Sequence, residues 1–192
     1  MVLIRHNKLK PPFDNYEELS LSEPDALAEG RVNPNIQDIT SLDAAAPQII
    51  EALRNAKRVV CSESIRTQQT AQQLMNLIGI QHNIEIDARL NEIVFTPSKM
   101  LPFNTEEPLK EIRTGLYRHI QEGGGYADSK EVLEEKFLEL LKEYNNSNTA
   151  CFSHGFLMRL LVSYVKQGVD MDKALKGVYE EASIKYLSFI EV

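Results

Sequence analysis

Residues 149–165 read Thr-Ala-Cys-Phe-Ser-His-Gly-Phe-Leu-Met-Arg-Leu-Leu-Val-Ser-Tyr-Val. Thr149 to Ser153 has the length and apolar character of a buried strand. Leu157, Leu160, Leu161, Tyr164 and Val165 then keep the spacing of one helical face. Ser153-His154-Gly155 is the joint between the two. A strand that passes directly into a helix is the repeating unit of α/β proteins, and the rest of the chain supplies more of them. Val2-Leu3-Ile4 reads as a first strand and ends in Arg5-His6. Lys57 to Cys61, with Val59-Val60 at its centre, reads as another, followed by a helix over Ser64–Ile78 in which Ala71, Leu74, Met75 and Ile78 share a face. Ile84-Glu85-Ile86 alternates as a strand does.

The other helices are predicted from their breakers and stripes. Pro47 to Leu53 starts with proline in its first turn. Thr105 is placed to cap a helix from Glu106, with Leu109, Ile112, Leu116 and Ile120 as its stripe. Gly123-Gly124-Gly125 interrupts the chain, and Asp128 with Glu131 forms a capping-box pattern. The helix it opens carries Leu133, Phe137, Leu140, Leu141 and Tyr144. Residues 10–47, punctuated by Pro11, Pro12, Pro24, Pro34 and Pro47, are the least regular, with helical turns expected within them, especially around 37–45. Ser183 to Val192 closes the chain as a strand. The alternation predicts an α/β fold on a largely parallel sheet.

With 192 residues and 43% hydrophobic content the chain has the length and composition of one globular domain, residues 1–192. Its formal charge of −7 argues against general binding to nucleic acid or an anionic membrane. No window approaches the ~20 apolar residues of a spanning helix, and the N-terminus has no signal-peptide pattern. Cys61 and Cys151 make no disulfide framework and read as two buried thiols of a reduced, cytoplasmic protein.

Three of the segments bearing reactive side chains lie where a strand ends: Arg5-His6, Ser62 with Arg66, and Ser153-His154-Gly155. In open α/β sheets ligands bind outside the carboxyl ends of the strands. Arg5, His6, Arg66 and His154 are therefore expected on one rim, beside helix N-termini, as a pocket for a small anion. Taken singly, each has a plainer reading as a core histidine or a solvated arginine. Other chemistries fail on spacing. Cys61 and Arg66 are one residue too close for a cysteine-phosphatase loop. There is no Gly-x-Ser-x-Gly elbow, Walker loop, Gly-x-Gly-x-x-Gly or His-Glu-x-x-His. His6, His82, His119 and His154 have no metal-ligand spacing, so no metal or other cofactor is expected.

Leu3-Ile4-Arg5-His6, Ser62-x-x-x-Arg66-x-x-Gln69-Thr70-Ala71, Arg89-Leu90-Asn91-Glu92-Ile93, Ser153-His154-Gly155-x-x-x-Arg159 and the closing Ala182-Ser183 together resemble the motifs, in order, of the histidine phosphatase (phosphoglycerate mutase-like) superfamily. The chain departs from that pattern at Asn7, where the family carries glycine, and at Pro12, where it carries asparagine. The resemblance implies a three-layer α/β/α sandwich and hydrolysis of a small phosphorylated metabolite or a phosphorylated protein side chain without metal. It also implies the roles: His6 as nucleophile, Arg5, Arg66 and His154 as phosphoryl ligands, and Glu92 as proton donor. Only the resemblance chooses His6 over His154 as nucleophile. Glu92 has the alternative reading of an exposed loop carboxylate, and Arg159 that of a residue packed along its helix. The alternative function is a catalytically reduced member that binds phosphorylated ligands or partner proteins.

Overall fold

The computed structural model describes residues 1–11, 13, 22–100, 108–145, 147–179 and 184–192. Five strands form one sheet: β1 (Val2–Arg5), β2 (Arg58–Cys61), β3 (Ile84–Ile86), β4 (Thr149–Ser153) and β5 (Phe189–Glu191), in the order β3-β2-β4-β1-β5. The first four run parallel, and β5 pairs antiparallel to β1. The helices are α1 (Ser22–Ala28), α2 (Pro47–Asn55), α3 (Ile65–Ile78), α4 (Pro97–Met100), α5 (Pro108–Gln121), α6 (Lys130–Tyr144), α7 (Gly155–Lys166) and α8 (Met171–Gly177). No helix among the described residues is long and apolar enough to cross a membrane.

Period-two alternation splits the strands between two cores. Ile4, Val59, Cys61, Ala150 and Phe152 pack with Ile49 and Leu53 of α2 and with Ala71, Leu74 and Met75 of α3. Leu3, Val60 and Cys151 pack on the other face with Leu116 of α5, Phe137 of α6, Leu160 of α7 and Leu175 of α8. This is the three-layer α/β/α sandwich. Each fully buried large side chain contributes about 1.5–3 kcal/mol. The two thiols lie within the layers on opposite faces; burial raises both, Cys151 to about 12, so neither carries thiolate chemistry at neutral pH.

Several expectations hold to within a residue or two, among them α2, α3, α6 and β4. Helix α3 is preceded by Ser64 and stops at Gly79, whose left-handed φ of +73° lets its N–H reach back to the Met75 and Asn76 carbonyls. Others change. The cap of α6 is Ser129, whose hydroxyl accepts from the Val132 N–H, while the Asp128 carboxylate accepts from the Val94 N–H. The helical turns expected within residues 10–47 include α1 and, around 37–45, a single 3-10 turn at Leu42–Ala44, while α4 and α8 are additions. The closing strand is confined to Phe189–Glu191, since Leu187 adopts φ +50° and holds back its start. Pro12, Thr105, Glu106, Glu107, Ala182 and Ser183 lie outside the described residues.

Candidate active site

Because β4 lies between β1 and β2 and all three are parallel, their carboxyl ends share one edge. Arg5 pairs with Ser153, the His6 N–H donates to the Ser153 carbonyl, and the Ser62 N–H donates to the Phe152 carbonyl. Arg66, in the first turn of α3, comes over the same edge. Arg5, His6, Arg66 and Glu92 thus line one cavity of about 240 Å³, with His154 immediately behind them, its ring centroid 5.2 Å from that of His6. The five side chains singled out in the sequence meet at one place.

Their hydrogen bonds determine the state of each. His6 Nδ1 lies 2.7 Å from the Asn7 carbonyl oxygen, which can only accept. Nδ1 therefore carries the proton, and the lone pair is on Nε2. Burial, then Arg66 and Arg5, hold His6 well below its ordinary pKa, outweighing the Asn7 bond, so the ring is neutral at pH 7. His154 is depressed for the same reasons: burial first, then Arg66, His6, Arg5 and Lys136.

Arg5 is clamped. Its Nη1 donates to the Ile184 carbonyl, its guanidinium carbon sits 4.1 Å from the centre of the Tyr186 ring, and the guanidinium lies close against Gly155. A Cβ at residue 155 would come 3.1 Å from Arg5 Cζ, closer than ordinary van der Waals contact. The buried Nε of Arg5 has no hydrogen-bond partner among the described residues, leaving a donor unused in a cationic pocket.

Glu92 stands on a loop tied to the sheet. Ser153 Oγ donates to the Leu90 carbonyl at 2.7 Å, and the Glu63 N–H donates to Asn91 Oδ1 at 2.9 Å. The carboxylate then caps α7 from outside. Oε1 accepts from the Leu157 N–H at 2.7 Å and from its own neighbour Ile93 at 3.2 Å, and Oε2 from the Phe156 N–H at 3.2 Å. Burial pushes Glu92 above the usual carboxylate value, against the pull of the two α7 amides and the two arginines. It is not an exposed loop carboxylate.

Asn7, at the position of the family's glycine, is not among the described residues with positive φ, so no strain attends the substitution. Its side chain donates to the Gln37 carbonyl at 2.9 Å, and its N–H donates to Thr70 Oγ1 at 3.0 Å. Arg159 also lines the cavity, in addition to a 3.4 Å bond from Nη2 to the Tyr179 carbonyl. The sequence reading missed further walls of the cavity, among them Leu27, Phe95, Phe156 and Tyr186. None of these belongs to a motif, and only Tyr186, an aromatic near a strand start, offered any local sign.

In fold the chain is similar to several solved structures. "Mycobacterial hydrolase 1" has a TM-score of 0.62 at 14% identity, over 98% of this chain and 86% of that one. A mycobacterial glucosyl-3-phosphoglycerate phosphatase gives 0.59 at 14% identity, over 98% and 87%. A phosphoserine phosphatase from Entamoeba histolytica gives 0.52 at 17% identity, over 98% and 87%. No curated protein matches the chain significantly in sequence. A family model matches residues 35–191, which hold Arg66, Glu92 and His154, while Arg5 and His6 reach the site through β1. The chain belongs to the histidine phosphatase superfamily, branch 1.

Proposed function

We propose that the protein hydrolyses phosphomonoesters through a phosphohistidine formed on His6. The observation that carries this reading is the bond from His6 Nδ1–H to the Asn7 carbonyl, in a neutral ring beside two arginines. It leaves the Nε2 lone pair as nucleophile at a cavity whose cations suit a phosphoryl group. Nε2 attacks phosphorus, the bond to the ester oxygen breaks, and the departing oxygen takes a proton from Glu92. Oε2 of Glu92 accepts a single N–H and so has a lone pair left to hold that proton, and burial favours the protonated form. Glu92 as carboxylate next takes a proton from water, which attacks phosphorus and breaks the P–N bond, releasing phosphate and restoring His6. Arg5, Arg66 and His154 bind the phosphoryl oxygens and stabilise their charge in both steps.

The cavity volume of about 240 Å³ favours a small substrate, whether a phosphorylated metabolite or a phosphorylated side chain presented on its own. Fixed arginine charge at the phosphoryl site supplies cationic stabilisation without a metal, which supports the reading of a metal-independent reaction. Acid-quenched turnover of a labelled phosphomonoester should trap an acid-labile phosphoenzyme that is absent in His6→Ala, and activity should survive exhaustive treatment with EDTA. Phosphate found on His154, or activity lost to EDTA and restored by one divalent ion, refutes the assignment.

A further inference from the structure

His154 is held by a chain of hydrogen bonds whose directions are all determined. Arg66 Nε lies 3.2 Å from His154 Nδ1, and a guanidinium can only donate, so Nδ1 carries the lone pair and Nε2 the proton. Nε2–H points to Ser62 Oγ at 2.9 Å. That oxygen also accepts from the Ser64 N–H at 3.2 Å. With two donors aimed at it, Ser62 Oγ gives its own proton to Thr67 Oγ1, 2.9 Å away, and Thr67 passes its proton to the Ser64 carbonyl at 2.8 Å. Ser62 and Thr67 are fully buried.

This pattern has a consequence for the phosphoryl group. Nδ1, which accepts from Arg66 Nε, has no proton to offer a phosphoryl oxygen. It becomes a donor only by taking a second proton while Nε2 keeps the first. The groups facing the ring are Arg66 from α3, Arg5 and His6 from β1, and Lys136 from α6, all opposing a positive charge, with Glu92 the nearby carboxylate of the same pocket. An incoming dianion reverses that balance. We propose that Ser62 and Thr67 are positioning residues that hold the proton on His154 Nε2, so that when Arg66 Nε leaves Nδ1 for a bound phosphoryl oxygen, Nδ1 takes a proton from solvent and donates it to the same phosphoryl group. The proposal rests on the reading of the cavity as a phosphoryl site. It adds to that reading two residues that touch no substrate.

Tungstate is a suitable probe, being a tetrahedral dianion that does not itself titrate near neutrality. Calorimetric titration at pH 7.5 in buffers of different ionisation heat counts the protons taken up on binding. The His6→Ala, Glu92→Gln double variant removes the other two titratable acid–base groups of the cavity. In that background we expect uptake close to one proton. Adding Ser62→Ala should reduce uptake below about 0.3 proton and weaken binding roughly tenfold, the order of one lost hydrogen bond to a charged group. Ser62→Thr should restore both. Thr67→Val frees the Ser62 hydroxyl to donate to Nε2 and should lower uptake as well, whereas Thr67→Ser should not. Uptake unchanged in folded Ser62→Ala or Thr67→Val, as judged by thermal melting, overturns the proposal. Uptake lost equally in the Thr and Ser replacements also overturns it, since those keep the hydroxyls. Failure of the unmodified protein to bind tungstate removes the phosphoryl site itself, an outcome distinct from loss in the variants alone.

Discussion

The contact between Gly155 and Arg5 allows activity to be separated from stability by one methyl group. In Gly155→Ala the new Cβ starts 3.1 Å from Arg5 Cζ, 3.2 Å from Nε and 3.4 Å from Nη1. Ordinary carbon–carbon contact begins near ~3.5 Å, so the guanidinium must retreat by roughly 0.4 Å. It has nowhere easy to go, with the Tyr186 ring 4.1 Å away and the Ile184 carbonyl holding Nη1. A displacement of ~1 Å in a positioned catalytic group costs about 10²-fold, so 0.4 Å should cost about 10-fold in kcat/KM, or about 1.4 kcal/mol of transition-state stabilisation. The backbone effect has the opposite sign. Residue 155 opens α7 without a positive φ, and replacing glycine by alanine in a helix favours folding by about 0.5–1 kcal/mol. The variant should therefore melt no lower than the parent while hydrolysing p-nitrophenyl phosphate about tenfold less efficiently. Unchanged kcat/KM with unchanged oxyanion inhibition would refute the clamp, and a protein destabilised by more than about 1 kcal/mol would mean that the backbone of α7, and not Arg5, gives way.

Glu92→Gln removes the transferable proton but keeps an acceptor for the α7 amides, so single-turnover phosphorylation should slow by ~10²- to 10⁴-fold with alkyl phosphates and far less with p-nitrophenyl phosphate, whose leaving group needs no acid. Equal slowing of both would assign Glu92 to binding. His6 is neutral when folded and its pKa lies below 6.5, so its contribution to stability is complete above 6.5 and is lost as pH falls from there towards the folded value. Urea titrations at pH 7.5, 6.5 and 5.5 should show the parent losing about 1 kcal/mol per pH unit more than His6→Ala below pH 6.5, and a pH-independent difference would contradict a neutral His6. Asn7→Gly gives up the bond to the Gln37 carbonyl and adds chain entropy, for about 1–2 kcal/mol of lost stability at nearly unchanged turnover. A tenfold gain in turnover would instead make Asn7 the residue that limits the enzyme.

Local properties were legible in the sequence. Alternation and helical spacing depend on residues two to four apart, which is why β4, α3 and the face of α6 were readable from Thr149–Ser153, Ala71–Ile78 and Leu133–Tyr144. The same holds for the reactive residues at strand ends, since a rule of α/β topology places them on one rim once the strands are parallel. Where neighbouring residues were locally similar, the sequence misled: the capping pattern picked Asp128, but Ser129 caps α6 and Asp128 accepts from the N–H of Val94, distant in the chain. Likewise, Leu187 holds back the start of the last strand to Phe189 through a backbone turn that no side-chain pattern announces.

What only the tertiary structure decided is the chemistry of the individual atoms. The insertion of β4 between β1 and β2 brings Arg5 beside Ser153 and allows residues from both ends of the chain to share a cavity. Which nitrogen of His6 or His154 carries the proton follows from a carbonyl, a guanidinium and a hydroxyl that approach only on folding. Glu92 as written in the sequence is one acid among 28. Its raised pKa comes from desolvation, a property of the space around a group and of its neighbours, set when α7 and the loop after β3 close over it.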